Sequence, residues 1–482
     1  MIIRENIKTT VIVAYLTSFL AQACELGFNI LVFGQLSVGD VGTYGLIMSI
    51  VTFLIFALDL GLNPTILRGF SQQKIAFREA LLGSAALRIP VVILAIISVF
   101  TWIYYSPAVS AKEWLPLVLA MVTSILLIQR TLAISWLRAY DKQTIANAIL
   151  LLYPLGKFAS GLLLMKLHRF NLVYFFGAIL VIEGLITTLA YWSTGKLKPQ
   201  RIAVQPFSRG FIKQAVLALW KPGIFFSLIG LCTVLQNRLD WMLVYAYVSK
   251  TELAYYSLAN KIYELFNAYI GIATVTLFPW LCKIVQVEDN NPMLVIGIKG
   301  LTFASVLIAG IVAFYAPVAL KIIWGNKYEP ASDMIYLIMC GGILSPICAL
   351  TYYYLIALNH ESYLLVTGVI STIAQFIVNL LIIPKLGGLG ATLGMNTMIL
   401  VTLTSFIIFC IKLKITQRIG FHRIYLFSVM MLVTLVMLKW QVTNGSSCLF
   451  YYILINILLG IMILFKKEEL SYCIHKLRFL NI

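Results

Sequence analysis

Charge is what this chain has least of: Asp, Glu, Lys and Arg together make up 11% of its 482 residues, and only 18 of those are acidic. A soluble domain carries about 25% charged residues on a surface that must hold water, so a soluble fold is excluded. Histidine is scarce as well. His168, His360, His422 and His475 are scattered over loop or interfacial positions and form no catalytic or metal constellation. Of the eight cysteines, Cys24, Cys232, Cys282, Cys340, Cys348, Cys410 and Cys473 show no metal-type spacing and fall mostly in apolar runs. Only Cys448 is expected near the outer face, so no disulfide framework is implied. Long loops are missing too: none on the outer side exceeds about a dozen residues, far from the catalytic loop of an integral-membrane polymerase or glycosyltransferase.

Apolar sequence fills the space that charge leaves, with 61% hydrophobic residues and a mean hydropathy of +0.95. Stretches of about 20 apolar residues recur along the whole length, each long enough to cross about 30 Å of hydrocarbon. They fall near 10–34, 42–66, 80–104, 115–137, 144–165, 171–193, 222–247, 253–281, 294–320, 332–357, 362–383, 389–412, 421–440 and 448–465, about fourteen in all. The expected fold is therefore an all-α polytopic membrane protein. The first span follows MIIRENIK and has no small-residue cleavage site, which reads as a retained helix and not a signal peptide. Alternate short loops hold about 21 Lys and Arg against about 8 on the other side, placing both termini in the cytoplasm. A net charge of +18 would suit nucleic acid, but these residues are dispersed over loops at one face and point to membrane orientation instead.

The chain also repeats itself. FGQLSVGDVGTYGLIMSI from Phe33 and YAYVSKTELAYYSLANKI from Tyr245 align without a gap at an offset of about 212 residues. Ser37 matches Ser249, Asp40 matches Glu252, Tyr44 matches Tyr256 and Leu46 matches Leu258. A second echo, LRAYDKQTIANAIL from Leu137 and LIALNHESYLLVTG from Leu355, lies at an offset of about 218. Two pseudo-symmetric six-helix bundles are thus expected at 1–195 and 222–414. A cytoplasmic connector at 196–221, its Arg209–Lys221 part an amphipathic interfacial helix, would join them. Two appended helices at 415–466 and a cytoplasmic tail at 467–482 would complete the chain. Duplicated helical bundles in so hydrophobic a chain are a transporter signature.

Four stretches carry a family resemblance: LSVGDVGTYG with DLGLNP, NRLDWMLVYAYVSKTELAYYSLANKIYE, WGNKYEPASDMI, and NLLIIPKLGGLGATLG. Together they resemble the polysaccharide-transporter branch of the multidrug/oligosaccharidyl-lipid/polysaccharide exporter superfamily, the O-antigen flippases above all. The resemblance implies a V-shaped pair of six-helix bundles in a bacterial cytoplasmic (inner) membrane. It further implies outward movement of undecaprenyl-diphosphate-linked oligosaccharide by alternating access. On that reading the chain is a monomer without cofactor or chemistry on its substrate, working beside a polysaccharide polymerase and a chain-length regulator.

A diphosphate and a glycan need a polar or cationic route across hydrocarbon. Ser18, Gln22, Glu25 and Asn29 recur at steps of four, three and four, on one face of the first span; Ser371, Gln375 and Asn379 do so in the eleventh, and Asn260, Glu264 and Asn267 share the eighth. Such stripes serve equally as interhelical glue. The intramembrane cations are Arg88, Arg130, Lys157, Arg238, Lys261 and Lys299. Arg offers a planar fork that binds phosphate oxygens bidentately, while Lys acts as a point charge. Lys299 lies close enough to a span end to snorkel. The expected substrate contacts are Arg88, Arg130, Lys157, Arg238, Lys261, Gln22 and Gln375. Glu25, Asp240 and Glu264 are candidates for ion coupling or a charge network, with Arg238 paired to Glu264 and Asp240 to Lys261; Asp59 is expected to neutralise a nearby cation. A multidrug extruder of the same superfamily is the alternative, disfavoured because its amphipathic cations would meet a surplus of cations. A membrane scaffold would leave the buried charges without purpose.

Overall fold

In the computed structural model, residues 7–59, 62, 63, 66, 77–105, 114–140, 142–195, 209–287, 292–358, 360–413, 421–441 and 445–464 are described. Among them there is no strand. The helices are α1 (Ile7–Gln35), α2 (Val38–Asp59), α3 (Phe77–Tyr105), α4 (Trp114–Ala139), α5 (Gln143–Lys166), α6 (Leu172–Gly195), α7 (Arg209–Tyr247) and α8 (Lys250–Val287). They continue as α9 (Pro292–Trp324), α10 (Ala331–Gly342), α11 (Ser345–Ala357), α12 (Glu361–Leu386), α13 (Gly388–Lys412), α14 (Phe421–Gln441) and α15 (Gly445–Leu459). Because α10 and α11 share one apolar span, Ala331–Ile356, the fifteen helices make the fourteen expected spans. Eleven of the described helices are long and apolar enough to cross a membrane.

Three spans depart from simple rods. The tenth breaks at Ile343 and Leu344, where a Leu344 N–H to Gly341 carbonyl turn follows two glycines and precedes Pro346, which has no N–H to continue a helix. The last ends in a π turn, Gly460–Leu464. The Arg209–Lys221 stretch is helical and runs without interruption into the seventh span. The remainder of the connector and the tail, 196–208 and 465–482, lie outside the described residues.

The chain divides into two compact units, Met1–Leu239 and Asp240–Ile482. Each opens its repeated motif in the same way. Ser37 Oγ accepts the Asp40 N–H at 3.1 Å and Ser249 Oγ accepts the Glu252 N–H at 3.1 Å, so Ser-x-x-acid caps α2 and α8 alike. The matched Tyr44 and Tyr256 are both buried. The second echo is one turn used twice: Lys142 N–H reaches the Leu137 carbonyl at 3.0 Å and His360 N–H the Leu355 carbonyl at 2.9 Å. The dihedrals agree as well, φ −97 and ψ 47 at Lys142 against φ −100 and ψ 44 at His360.

Within the second unit, α12 and α13 form a tight hairpin. Gly387 turns the chain at φ +58, a conformation that glycine adopts without strain. Gly390 then brings α13 against the α12 backbone: a Cβ there would lie 2.9 Å from the Ile382 carbonyl. Gly394, one turn on, packs against Asn379, a small-xxx-small helix contact. Because the Ile382 backbone cannot rotate away, Gly390→Ala is expected to cost about 1–3 kcal/mol, read as a lower unfolding temperature in detergent. The appended helices dock on the same unit. Tyr336 Oη donates to the Leu435 carbonyl at 2.9 Å, and Tyr452 Oη to the Val306 carbonyl at 2.8 Å, the tyrosine ring lying against Gly310.

Candidate functional site

The interior of the first unit gathers charge from six helices. Lys157 on α5 meets Glu25 of α1 at 2.7 Å, and its ammonium lies over the Phe28 ring at 4.2 Å. Arg130 on α4 meets Glu183 of α6 at 2.8 Å and stacks over Tyr153 at 5.1 Å. The Nε of Arg130 approaches at ion-pair distance but off the N–H axis, so it makes an ion pair and not a hydrogen bond. Tyr153 lies within electrostatic reach of all four charged groups. Beside it is a cavity of about 70 Å³ lined by Lys157, Tyr44, Tyr153, Thr123, Ser124 and apolar neighbours, room for several waters at about 10–15 Å³ each.

Arg88, on α3, is different. It is 3% exposed and its Nε donates to the Leu58 carbonyl at 2.9 Å. Its Nη1 and Nη2 are buried without a hydrogen-bond partner, and the side chain lines a cavity of about 240 Å³. Asp59 is close enough to act on it electrostatically, yet Asp59 Oδ1 also lacks a partner. The expectation that Asp59 offsets a cation is thus met by proximity and not by a closed ion pair.

These contacts correct the expected surplus of cations. In the first unit's interior Arg88, Arg130 and Lys157 face Asp59, Glu183 and Glu25 one for one. Sequence reading singled out Glu25 but passed over Glu183, whose signal was plain: a lone carboxylate in an otherwise apolar span. Tyr153 and Tyr191 went unremarked for the opposite reason, since tyrosine is common in such helices. Of the first span's stripe, Asn29 is buried while Ser18 and Gln22 are exposed.

Asp240 and Lys261, expected as a pair, find other partners. Lys261 pairs with Glu264 at 2.6 Å along its own helix, because a partner three residues away needs no reach across helices. Asp240 is buried and accepts from the Tyr256 hydroxyl and from the Trp241 N–H at 2.8 Å. Arg238, half-buried on α7, is the last residue but one of the first unit. Lys299 does not snorkel: it is 1% exposed, since α9 begins at Pro292 and buries that position about 10 Å from its end. Ser371, Gln375 and Asn379 are all buried on α12. Asn379 abuts Gly394 of α13, which is the interhelical position that polar glue occupies. Among the described residues, no group of His, Cys, Asp and Glu is placed to hold a metal ion.

No family model matches the chain, and no curated protein matches it. Solved structures do. A lipid II flippase MurJ in an inward closed conformation superposes with a TM-score of 0.68 at 16% identity, covering 98% of this chain and 100% of that one. An inward-facing multidrug resistance MATE transporter of the MOP superfamily gives 0.60 at 12% identity, over 85% of this chain and 98% of that one. A MOP superfamily transporter from Pyrococcus furiosus gives 0.58 at 13% identity, over 90% and 97%. The chain is a polytopic membrane protein with the fold of the MOP transporters.

Proposed function

We propose that this protein is a flippase moving an undecaprenyl-diphosphate-linked oligosaccharide, an O-antigen, capsule or exopolysaccharide repeat unit, from the inner to the outer leaflet of the cytoplasmic membrane. The observation that carries the reading is the buried guanidinium of Arg88, whose two terminal nitrogens are unpaired beside an open cavity. Such a fork suits phosphate oxygens. It does not suit the amphipathic cations of a multidrug extruder, although MATE transporters share the fold. The likeness to a lipid II flippase supports a lipid-linked substrate.

In this mechanism the two units open alternately to each side. The paired cations Lys157 and Arg130 can accept the diphosphate only as it displaces Glu25 or Glu183, while Arg88 can accept it directly. Arg238, Lys261, Gln22 and Gln375 remain substrate contacts in the proposal, and Glu25, Asp240 and Glu264 groups for coupling. With both termini cytoplasmic, outward movement of an anionic head is downhill by about 2.3 kcal/mol per charge per 100 mV. Deleting the gene in its host is expected to abolish surface glycan while lipid-linked oligosaccharide accumulates on the cytoplasmic leaflet. Unchanged glycan export, with no related transporter present, would sink the reading.

A further inference from the structure

The cavity at Arg88 is unlike a water pocket. Leu58, Ala85, Ile89, Val92, Ile93, Ile125 and Ile128 wall it, and Arg88 and Gln129 are its polar lining. Water in a cavity needs two to four polar partners apiece, and these walls supply few for a volume of about 240 Å³. Gln129 is already engaged, its Oε1 receiving the Tyr191 hydroxyl at 3.2 Å. What the cavity offers is two buried, unpaired N–H-bearing nitrogens of a cation set in hydrocarbon walls.

Its mouth continues along α3. Ile89 is 57% and Ile93 53% exposed, followed by Ile96 and Ile97. Steps of four, three and one keep these side chains on one side of the helix, forming an aliphatic stripe free of protein cover. The stripe starts beside the guanidinium and runs away from it toward the far end of α3. Arg88 itself lies eight residues from Ala80, where the apolar span begins, a depth of about 12 Å at 1.5 Å per residue.

We infer that this cleft between α2, α3 and α4 is a docking site for the phosphate head of a membrane lipid, with the hydrocarbon tail lying along Ile89, Ile93 and Ile97. Phosphate oxygens accept from Arg88 Nη1 and Nη2 as a bidentate pair. Asp59, whose Oδ1 is buried and unpartnered and which acts on Arg88 electrostatically, disfavours a second negative charge on the phosphate. A phosphodiester, which carries a single charge, therefore fits better than a phosphomonoester, which with a second pKa of about 6 is mostly doubly ionised at pH 7. The tail direction suits a lipid from the leaflet at the Phe77 end of α3. The binding stands on the cavity alone; its use in loading substrate rests on the flippase reading.

The test is lipid binding to the purified full-length protein, followed by native mass spectrometry with undecaprenyl phosphate, phosphatidic acid, phosphatidylglycerol and neutral diacylglycerol. The diester phosphatidylglycerol should bind most tightly and diacylglycerol at least about tenfold more weakly. Arg88→Ala should weaken phosphate-lipid binding by about 10- to 100-fold, the worth of charge-assisted hydrogen bonds, and Arg88→Lys by less. Ala85→Phe should fill the cavity and weaken binding with Arg88 in place, while Asp59→Asn should narrow the disadvantage of the monoesters. Tighter binding of undecaprenyl phosphate than of phosphatidic acid, both monoesters, assigns the site to a polyprenyl tail such as the transported lipid carries, and the reverse assigns it to a resident phospholipid. Binding that is indifferent to Arg88→Ala and Ala85→Phe, or diacylglycerol binding as tight as phosphate lipids, overturns the site. Loss of the site with glycan export intact would leave the flippase reading standing. Binding as expected with export unaffected by gene deletion would do the opposite.

Discussion

Arg88→Ala, supplied to a strain lacking the chromosomal gene, is expected to cut surface glycan delivery by about 10- to 100-fold, the loss of two charge-assisted hydrogen bonds to a diphosphate. Lipid-linked oligosaccharide should accumulate on the cytoplasmic leaflet. Arg88→Lys should restore delivery only in part, because it returns the charge without the fork. The substitution can be read as function because of what it leaves behind. The Leu58 carbonyl loses one donor and Asp59 an electrostatic neighbour, but no carboxylate loses a closed ion pair, since Nη1 and Nη2 had no partner. Alanine at Lys157 or Arg130 would instead strand Glu25 or Glu183, so lost export there would be mixed with lost protein. Normal export by well-expressed Arg88→Ala would remove Arg88 from the transport route.

The difference between these positions was not legible in the sequence, and the reason is physical. A span must satisfy its backbone internally and cover a fixed hydrocarbon thickness, so length and apolarity alone located the fourteen spans. Capping is equally local: Ser37 and Ser249 announce the starts of α2 and α8 because the cap closes within three residues. The turn at Leu137–Lys142 and its counterpart at Leu355–His360 are likewise legible as a sequence echo, because each closes locally through a matching hydrogen bond. Partnership between charges is a different kind of fact. Lys157 and Glu25 are 132 residues apart in the chain, and nothing in either helix's period says that they meet. Depth counting suggested Asp240 for Lys261, but depth ignores rotation about the helix axis. Lys261 took Glu264 on its own helix, and Asp240 took the Tyr256 hydroxyl. The same limit hid the role of Ser371, Gln375 and Asn379, whose stripe reads identically whether it faces a route or, as Asn379 does, a neighbouring glycine.

Glu183→Ala is expected to be the most destabilising single substitution among the buried charges, by about 3–5 kcal/mol, because it leaves Arg130 charged and without its carboxylate in a dry interior. Glu183 is 0% exposed and its Arg130 partner 6% by side chain, whereas Glu25 keeps 31% of its side chain open. Water can therefore take over part of what Lys157 loses in Glu25→Ala, and that variant should lose distinctly less. A buried ion pair, however, contributes little net stability once desolvation of both partners is counted. It follows that removing both charges should cost far less than removing one: Arg130→Met with Glu183→Leu should recover most of the Glu183→Ala loss. Thermal unfolding of the wild type, Arg130→Met, Glu183→Leu and the double variant in detergent closes the cycle and isolates the coupling between the two sites. A double variant as unstable as Glu183→Ala alone would mean that packing around Tyr153, and not charge balance, sets the cost. A stable double variant that no longer exports glycan would show instead that the pair is kept for transport, since its removal would have cost the fold almost nothing.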